Sequence, residues 1–464
     1  MSDQYDYDVL IIGSGPGGYV AGIRAGQLGL KVGVIERDAP GGVCLNWGCI
    51  PSKSLIHQAE IFHYTGSLEA MGLTIDRSKL DYAKVYRKSR DAAATLSKGV
   101  RGLLKKNKVD YIEGDAKFLS AHEVEIGVSE KITADNIIIA TGSRPRQIPG
   151  FEIDEKDVLS STGILSLQEL PKTLVILGAG AIGMEFAYVM NAFGVEVTVV
   201  EMLDSILPLE DSDVVDVVRK DFKSHGITMM TGTKATALER GKKGLTVTVE
   251  DKEGKSRKLE AEKLLVAVGR APNTDNLGLE NVGVTTDRGF ITVGDYYQTS
   301  VKGIYAIGDV TPSPLLAHVA SKEGEIAVEH IAGHHPEAKL DPDAIPSAVY
   351  CEPQVGSFGH TEKQAKEKGL DFETAIFPYR GAGKSVAIEQ SQGVVKIIYQ
   401  KETREILGAH AVGNSATEII HELLLAKKAE LLPEDVATMV HAHPTISEAV
   451  MESARTAEGW AIHY

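Results

Sequence analysis

Two cysteines, Cys44 and Cys49, are separated by four residues in the stretch GGVCLNWGCIPSK, residues 41–53. A metal site would need further ligands, and none cluster nearby. As a staple, so short a loop would contribute only about 2 kcal/mol by chain entropy. Two inert buried thiols are the other plain alternative. Three cysteines in 464 residues exclude a secreted disulfide framework, so redox chemistry is the sharper expectation. On one regular helix their Cα atoms would lie about 8.7 Å apart, beyond the roughly 7 Å that a bridge tolerates. The segment is therefore expected to be distorted, with Gly48 and Pro51 suited to the break, and a strained bridge is more easily reduced. A helix starting near Cys49, with Lys53 one turn further on, would favour its thiolate.

The elements around this pair repeat. Residues 9–37, VLIIGSGPGGYVAGIRAGQLGLKVGVIER, share a pattern with residues 174–202, LVILGAGAIGMEFAYVMNAFGVEVTVVEM. Each copy predicts a strand, a G-x-G-x-x-G turn, a helix and a second strand ending in Glu, which is a βαβ unit. The first Gly permits the tight turn, the second lets backbone approach a pyrophosphate, and the third packs helix on strand. Gly13, Gly15 and Gly18 with Glu36, and Gly178, Gly180 and Gly183 with Glu201, thus predict two dinucleotide sites. The two acids stand at equivalent stations, where each would accept from ribose hydroxyls. Met202 and Leu203 follow Glu201 with no Arg for a 2′-phosphate, which favours NAD over NADP there.

The formal charge of −15, from 49 basic and 64 acidic residues, argues against nucleic acid as a partner and fits a basic protein surface or plain solubility. The longest apolar run, Leu174 to Met184, contains three glycines and is too short to span a membrane. The first strand begins at Val9, leaving little room for a signal or transit segment, so a cytoplasmic location is expected. Cys351 has no Cys, His or Lys neighbour and reads as a structural thiol. Gly383-Lys384-Ser385 is not a P-loop, because Pro378 stands where the first Gly is required.

With both fingerprints and GGVCLNWGCIPSK in place, the chain resembles, essentially end to end, the flavoprotein disulfide oxidoreductases, and most of all those that oxidise dihydrolipoamide. Val43 and Trp47 depart from the residues usual in that motif. The resemblance implies that Gly13, Gly15, Gly18 and Glu36 hold the adenosine half of FAD, with Lys53 near the flavin and ion-paired to Glu185. It further implies FAD contacts at Ala116, Thr141, Gly142, Ser143, Asp309 and Ala317. NAD contacts are implied at Gly178, Gly180, Gly183, Glu201, Ala235 and Gly269.

Near the C-terminus, in HAHPTISE (residues 441–448), Thr445 and Glu448 have the spacing of a helix capping box. By resemblance, His443 is the base and Glu448 the carboxylate that orients it, with His441 secondary. A His-x-His metal pair lacks an evident third ligand.

The expected architecture is α/β, with two Rossmann-like dinucleotide-binding domains and a C-terminal α/β dimerisation domain. The segments are an FAD domain (1–143), an NAD domain (144–272), a return to the FAD domain (273–340) and the interface domain (341–464). The resemblance implies a homodimer in which His443 and Glu448 face Cys44 of the other subunit. The substrate it implies is dihydrolipoamide on a lipoyl domain, and the docking site the acyltransferase core of a 2-oxo acid dehydrogenase complex, or a glycine cleavage complex. The alternatives are a glutathione or mercuric reductase, disfavoured by Glu201 without Arg and by an Ala461-Ile462-His463-Tyr464 terminus without Cys, and a non-catalytic NAD(H)-binding scaffold.

Overall fold

The computed structural model describes residues 4–127, 129–242 and 244–464. The chain opens with β1 (Tyr7–Ile12), α1 (Pro16–Gln27), β2 (Val32–Glu36), α2 (Gly42–Trp47), α3 (Cys49–His63), α4 (Tyr82–Lys106), β3 (Val109–Glu113), β4 (Ala116–Ser120), β5 (Glu123–Ile126) and β6 (Glu130–Ile139). These strands form a sheet in the order β3-β2-β1-β6-β5-β4. β6 is shared: its first half pairs antiparallel with β5, its second half parallel with β1. Val9, Leu10 and Ile11 are wholly buried, as expected of a strand covered on both faces, which explains why they read as an unbroken apolar run.

A second sheet follows: β7 (Val158–Leu159), β8 (Thr173–Leu177), α5 (Ala181–Ala192), β9 (Glu196–Val200), α6 (Ser212–Ser224), β10 (Thr228–Met230), an antiparallel meander β11 (Thr233–Gly241), β12 (Gly244–Asp251) and β13 (Ser256–Ala261), then β14 (Lys263–Val266). Its parallel order is β10-β9-β8-β14-β7. The two sequence copies are therefore two structural copies, β1-α1-β2 and β8-α5-β9. The segments entering and leaving the second sheet, Ser143–Pro145 and Arg270–Pro272, pair antiparallel side by side.

The chain then rejoins the first sheet: β15 (Ile304–Ala306) lies parallel to β6, and α7 (Ala317–Ile331) packs against α1. A Cβ on Gly324 would fall 2.8 Å from the carbonyl oxygen of Gly17, so a bulkier residue would push these helices apart. The C-terminal part is a sheet of β16 (Ser347–Val349), β17 (Gln354–Gly359), β18 (Phe372–Pro378), β19 (Val394–Gln400) and β20 (Ile406–Gly413), ordered β16-β17-β20-β19-β18 with all neighbours antiparallel. Helices α8 (Ala416–Lys428) and α9 (Glu448–Ala457) pack on it through Ile420, Leu423, Ala449, Val450 and Ala454. The architecture is α/β throughout, with two sheets of the dinucleotide-binding type and a C-terminal α/β unit.

A buried ion cluster ties the C-terminal sheet to the second one. The side chain of Lys396 on β19 is fully buried, and its Nζ lies 2.8 Å from Asp211, 2.6 Å from Asp213 and 2.8 Å from Glu362. Asp211 also caps α6 by accepting the Asp213 N–H, so the same carboxylates that start the helix hold the lysine.

Candidate active site

Each glycine fingerprint is built to admit a phosphate. Gly13 (φ +105°) and Gly178 (φ +99°) adopt backbone angles that side chains disfavour, and a Cβ on either would strike the neighbouring strand at Ala140 or Ala267. A Cβ on Gly18 would collide with the Gly13 carbonyl, and one on Gly183 with that of Gly178, which fixes helix against strand. At Gly15 and Gly180 a Cβ would meet nothing within 4 Å: these positions border open space in front of the N-termini of α1 and α5. The strand-end acids match as well. Glu36 accepts from the Ser14 N–H and hydroxyl at 2.8 Å, and from the Asp38 N–H at 3.0 Å. Glu201 accepts from the N–H groups of Ala179 and Leu203, each at 2.8 Å.

The open space before α1 is part of a cavity of about 920 Å³, at the large end of small-molecule sites. Gly13, Gly15, Glu36, Ala116, Thr141, Gly142, Ser143, Asp309 and Ala317 line it, together with Cys44, Cys49, Lys53 and Glu185. Gly18 stands behind, packed on Gly13. The cavity thus runs from an acid suited to a ribose, past a phosphate-sized opening, to a pair of thiols. Both the donor set and the volume suit an extended dinucleotide such as FAD. Gly178, Gly180, Gly183, Glu201, Ala235 and Gly269 lie outside this lining, in the turns that follow the strands of the second sheet, at the start of α5 and on β11. The α5 residues Ala181, Ile182, Glu185 and Phe186 do reach it, so α5 has its phosphate-type N-terminus beside one face of the cavity wall.

The thiols sit where the helix breaks. Cys44 is in α2, Gly48 interrupts with φ −150° and ψ −112°, and Cys49 is the first residue of α3. Both are free thiols in this structure and partly buried. A hydrogen bond from the Cys44 thiol, together with the Lys53 ammonium, outweighs burial and lowers the Cys49 pKa to about 7. The same hydrogen bond and burial push Cys44 well above an ordinary thiol. These opposite directions make Cys49 the more acidic of the two thiols.

Lys53 Nζ is 3.0 Å from both oxygens of Glu185 and lies 4.4 Å from the centre of the Tyr350 ring. Burial alone would lower the lysine; Glu185 reverses this and raises it, so the ammonium persists beside Cys49.

His443 and Glu448 are placed elsewhere. His443 Nδ1 is 2.9 Å from Glu448 Oε1, and the imidazole side chain is 75% exposed, outside the cavity that holds the thiols. The expected capping box is half formed: Glu448 accepts the Thr445 N–H at 2.9 Å, but the Thr445 hydroxyl donates to the Ala442 carbonyl and the residue before the helix is Ser447. That leaves Glu448 free to hold the imidazole. His441 is occupied internally, 2.6 Å from Glu422. Cys351 is fully buried, with its thiol pushed far up by burial, as a structural thiol would be.

Three further residues belong to the site. The Arg270 guanidinium donates to the Ser143 hydroxyl at 2.6 Å and carbonyl at 2.7 Å, while that hydroxyl also bonds Asp309. Glu323 on α7 is buried and accepts the Gly308 N–H at 2.6 Å, bracing the turn that carries Asp309; burial raises its carboxyl to about 7. Its signal in the sequence is a lone acid on the apolar face made by Val319, Ala320 and Ala327. Tyr350, the third, comes from just after β16, and nothing in its local sequence marks it.

Comparison with known proteins agrees with this arrangement. Residues 7–324 match the pyridine nucleotide-disulphide oxidoreductase family, and residues 345–454 its dimerisation domain. The chain is 43% identical to the dihydrolipoyl dehydrogenase of Rhizobium etli, covering 98% of each chain. It is also 43% identical to that of Geobacillus stearothermophilus, over 98% of this chain and 97% of the relative. LpdA from Mycobacterium tuberculosis superposes with a TM-score of 0.90 at 27% identity over 96% of this chain and 98% of its own. The HOCl-induced flavoprotein disulfide reductase RclA from Escherichia coli gives 0.85 at 28%, over 96% and 98%. By these matches, which span nearly the whole chain, it belongs to the pyridine nucleotide-disulphide oxidoreductases.

Proposed function

We propose that this chain, using FAD, oxidises dihydrolipoamide carried on a lipoyl domain to lipoamide and reduces NAD+ to NADH. The observation that carries this reading is the Cys44–Cys49 pair in the dinucleotide cavity, its thiolate set beside the Lys53–Glu185 ion pair that joins the two nucleotide folds. Full-length likeness to dihydrolipoyl dehydrogenases selects the substrate. In this reading residues 1–143 and 273–340 hold FAD, residues 144–272 hold NAD and residues 341–464 pair the subunits.

The cycle begins with a Cys44–Cys49 disulfide. The partner subunit's His443, its Nδ1 held by Glu448, takes the proton of one substrate thiol on Nε2. The substrate thiolate attacks Cys44 Sγ, the bridge opens, and Cys49 leaves as a thiolate facing the Lys53 ammonium. The second substrate thiol then attacks the substrate sulfur bound to Cys44, closing the lipoyl disulfide and leaving Cys44 as the thiol. Bound FAD would supply the two-electron chemistry that links the reduced thiol pair to NAD+. Gly13, Gly15, Gly18, Glu36, Ala116, Thr141, Gly142, Ser143, Asp309 and Ala317 would hold FAD. Gly178, Gly180, Gly183, Glu201, Ala235 and Gly269 would hold NAD, and Lys53 and Glu185 pair where α5 meets the cavity that would hold FAD.

Exposed Met439 and Val440 flank the histidine segment, an apolar surface suited to burial in a dimer that would bring His443 to the other subunit's Cys44. The acidic chain suits docking on a basic segment of an acyltransferase core. No helix among the described residues is long and apolar enough to cross a membrane, and the sparse cysteines fit a cytoplasmic setting. The test is NADH formation with dihydrolipoamide, run beside NADP+ and reduced glutathione. Turnover confined to dihydrolipoamide with NAD+ supports the reading; turnover with glutathione and NADP+ instead would overturn it.

A further inference from the structure

The Lys53–Glu185 pair is held from three directions. Lys53 comes from α3 and Glu185 from α5, and the third contributor is the C-terminal unit through one residue, Tyr350. Its backbone N–H donates to Glu185 Oε1 at 3.1 Å, and its ring centre lies 4.4 Å from Lys53 Nζ. One residue thus touches both members of the pair, with backbone on the anion and aromatic ring on the cation. A cation over an aromatic face is attracted by the ring quadrupole, most strongly where water is excluded.

The ring matters because Lys53 is flexible. Its four-carbon stem leaves from the helix that Cys49 begins, and Glu185 can hold the ammonium at several torsions. The ring, 4.4 Å from Nζ, restricts that freedom, so the charge stays where it acts on the sulfur. The charged and titratable groups around Cys49 are Cys44 from α2, Lys53 from α3, Glu185 from α5, Arg270 from the strand leaving the second sheet and the Tyr350 phenol. Tyr350 itself also faces Glu418 of α8. Among these only Lys53 and Arg270 are cations, and Arg270 is engaged with Ser143 and Asp309.

We propose that Tyr350 is a positioning residue for the redox site, its ring fixing the Lys53 ammonium against Glu185 and thereby beside Cys49. The proposal rests on the reading above for its catalytic consequence, but its geometry does not. The hydroxyl is not required, so Tyr350→Phe should behave as the parent, whereas Tyr350→Leu keeps the backbone bond to Glu185 and loses only the ring.

The test is the pH dependence of iodoacetamide alkylation at Cys49, followed by peptide mass in the reduced, cofactor-loaded Cys44→Ser protein. Cys351 is buried and leaves one reactive thiol to follow. Tyr350→Leu should move the alkylation midpoint upward by about half a pH unit, with roughly twofold less alkylation at the parent midpoint and about threefold less well below it, and Tyr350→Phe should leave both unchanged. An unmoved midpoint in Tyr350→Leu overturns the proposal, as does an equal shift in both variants, which would give the role to the hydroxyl. Lys53→Met serves as reference: its midpoint should rise further, and Tyr350→Leu added to it should have no additional effect. Additivity would mean that the ring acts without Lys53. Because alkylation is read without turnover, failure of the substrate assignment leaves this result interpretable.

Discussion

Cys49 opens the helix on which Lys53 stands four residues later, and Lys53 Nζ reaches across to Glu185 at 3.0 Å on the helix behind the second glycine fingerprint. The thiolate, its counter-charge and the wall of the second nucleotide fold are therefore one connected unit, and changes to any of them should be felt at the sulfur.

Glu185→Gln should lower both rate and stability. It leaves the ammonium with a neutral amide in a largely buried site. A fully buried broken pair costs about 3–5 kcal/mol, and with the lysine side chain one-third exposed roughly 1–3 kcal/mol is expected in urea unfolding. Turnover should fall at least about tenfold, read as initial NADH formation.

Cys49→Ser should retain FAD and lose the long-wavelength thiolate–flavin absorption of the reduced protein, whereas Cys44→Ser should keep that band. The reverse pattern in anaerobic spectra would exchange the roles of the two sulfurs.

His443→Gln should slow dihydrolipoamide oxidation by about 10²–10⁴ while NADH still reduces the bound flavin, because the histidine stands outside the cavity. Mixing His443→Gln with Cys44→Ser subunits provides a sharper check. Re-dimerised mixtures should recover activity if His443 serves the other subunit, and stay inactive if each chain completes its own site.

Lys396→Met should be strongly destabilising, because it takes the cation from the buried Asp211 carboxylate and leaves it beside Asp213 and Glu362. Burial works against the Asp211 carboxylate, yet the hydrogen bond from Lys396 brings its pKa below the usual value. A depressed folded pKa contributes stability that is present above the unfolded value and is lost as pH falls through the folded one. Parent stability should therefore drop below about pH 4, and the Lys396→Met variant should show a shallower loss there. Urea melts from pH 3 to pH 7 read both.

The fold was largely legible because its elements are local patterns. The glycine spacings force a strand-turn-helix at Gly13 and again at Gly178, and the two copies imply two sheets. The break between Cys44 and Cys49 was also foreseeable from the reach of a disulfide and from Gly48. What was hidden comes from residues brought together by long-range topology. Tyr350 meets Lys53 because its backbone, just after β16, is hydrogen-bonded to Glu185 of α5, and Arg270 meets Ser143 because the two connecting segments pair. Lys396 reads as an ordinary strand charge until three carboxylates from distant segments surround it. The capping-box spacing at Thr445 is met in one half only: Glu448 accepts the Thr445 N–H and holds His443 with its other oxygen, while the Thr445 hydroxyl turns to the Ala442 carbonyl.

The most direct test is a single anaerobic turnover: one equivalent of dihydrolipoamide added to the oxidised flavoprotein, then NAD+. The account predicts that Cys44 and Cys49 become alkylatable, a long-wavelength band appears, and NAD+ then discharges it with about one equivalent of NADH formed. A flavin that stays oxidised with both cysteines still blocked, or NADH formation undiminished in Cys44→Ser, would contradict it.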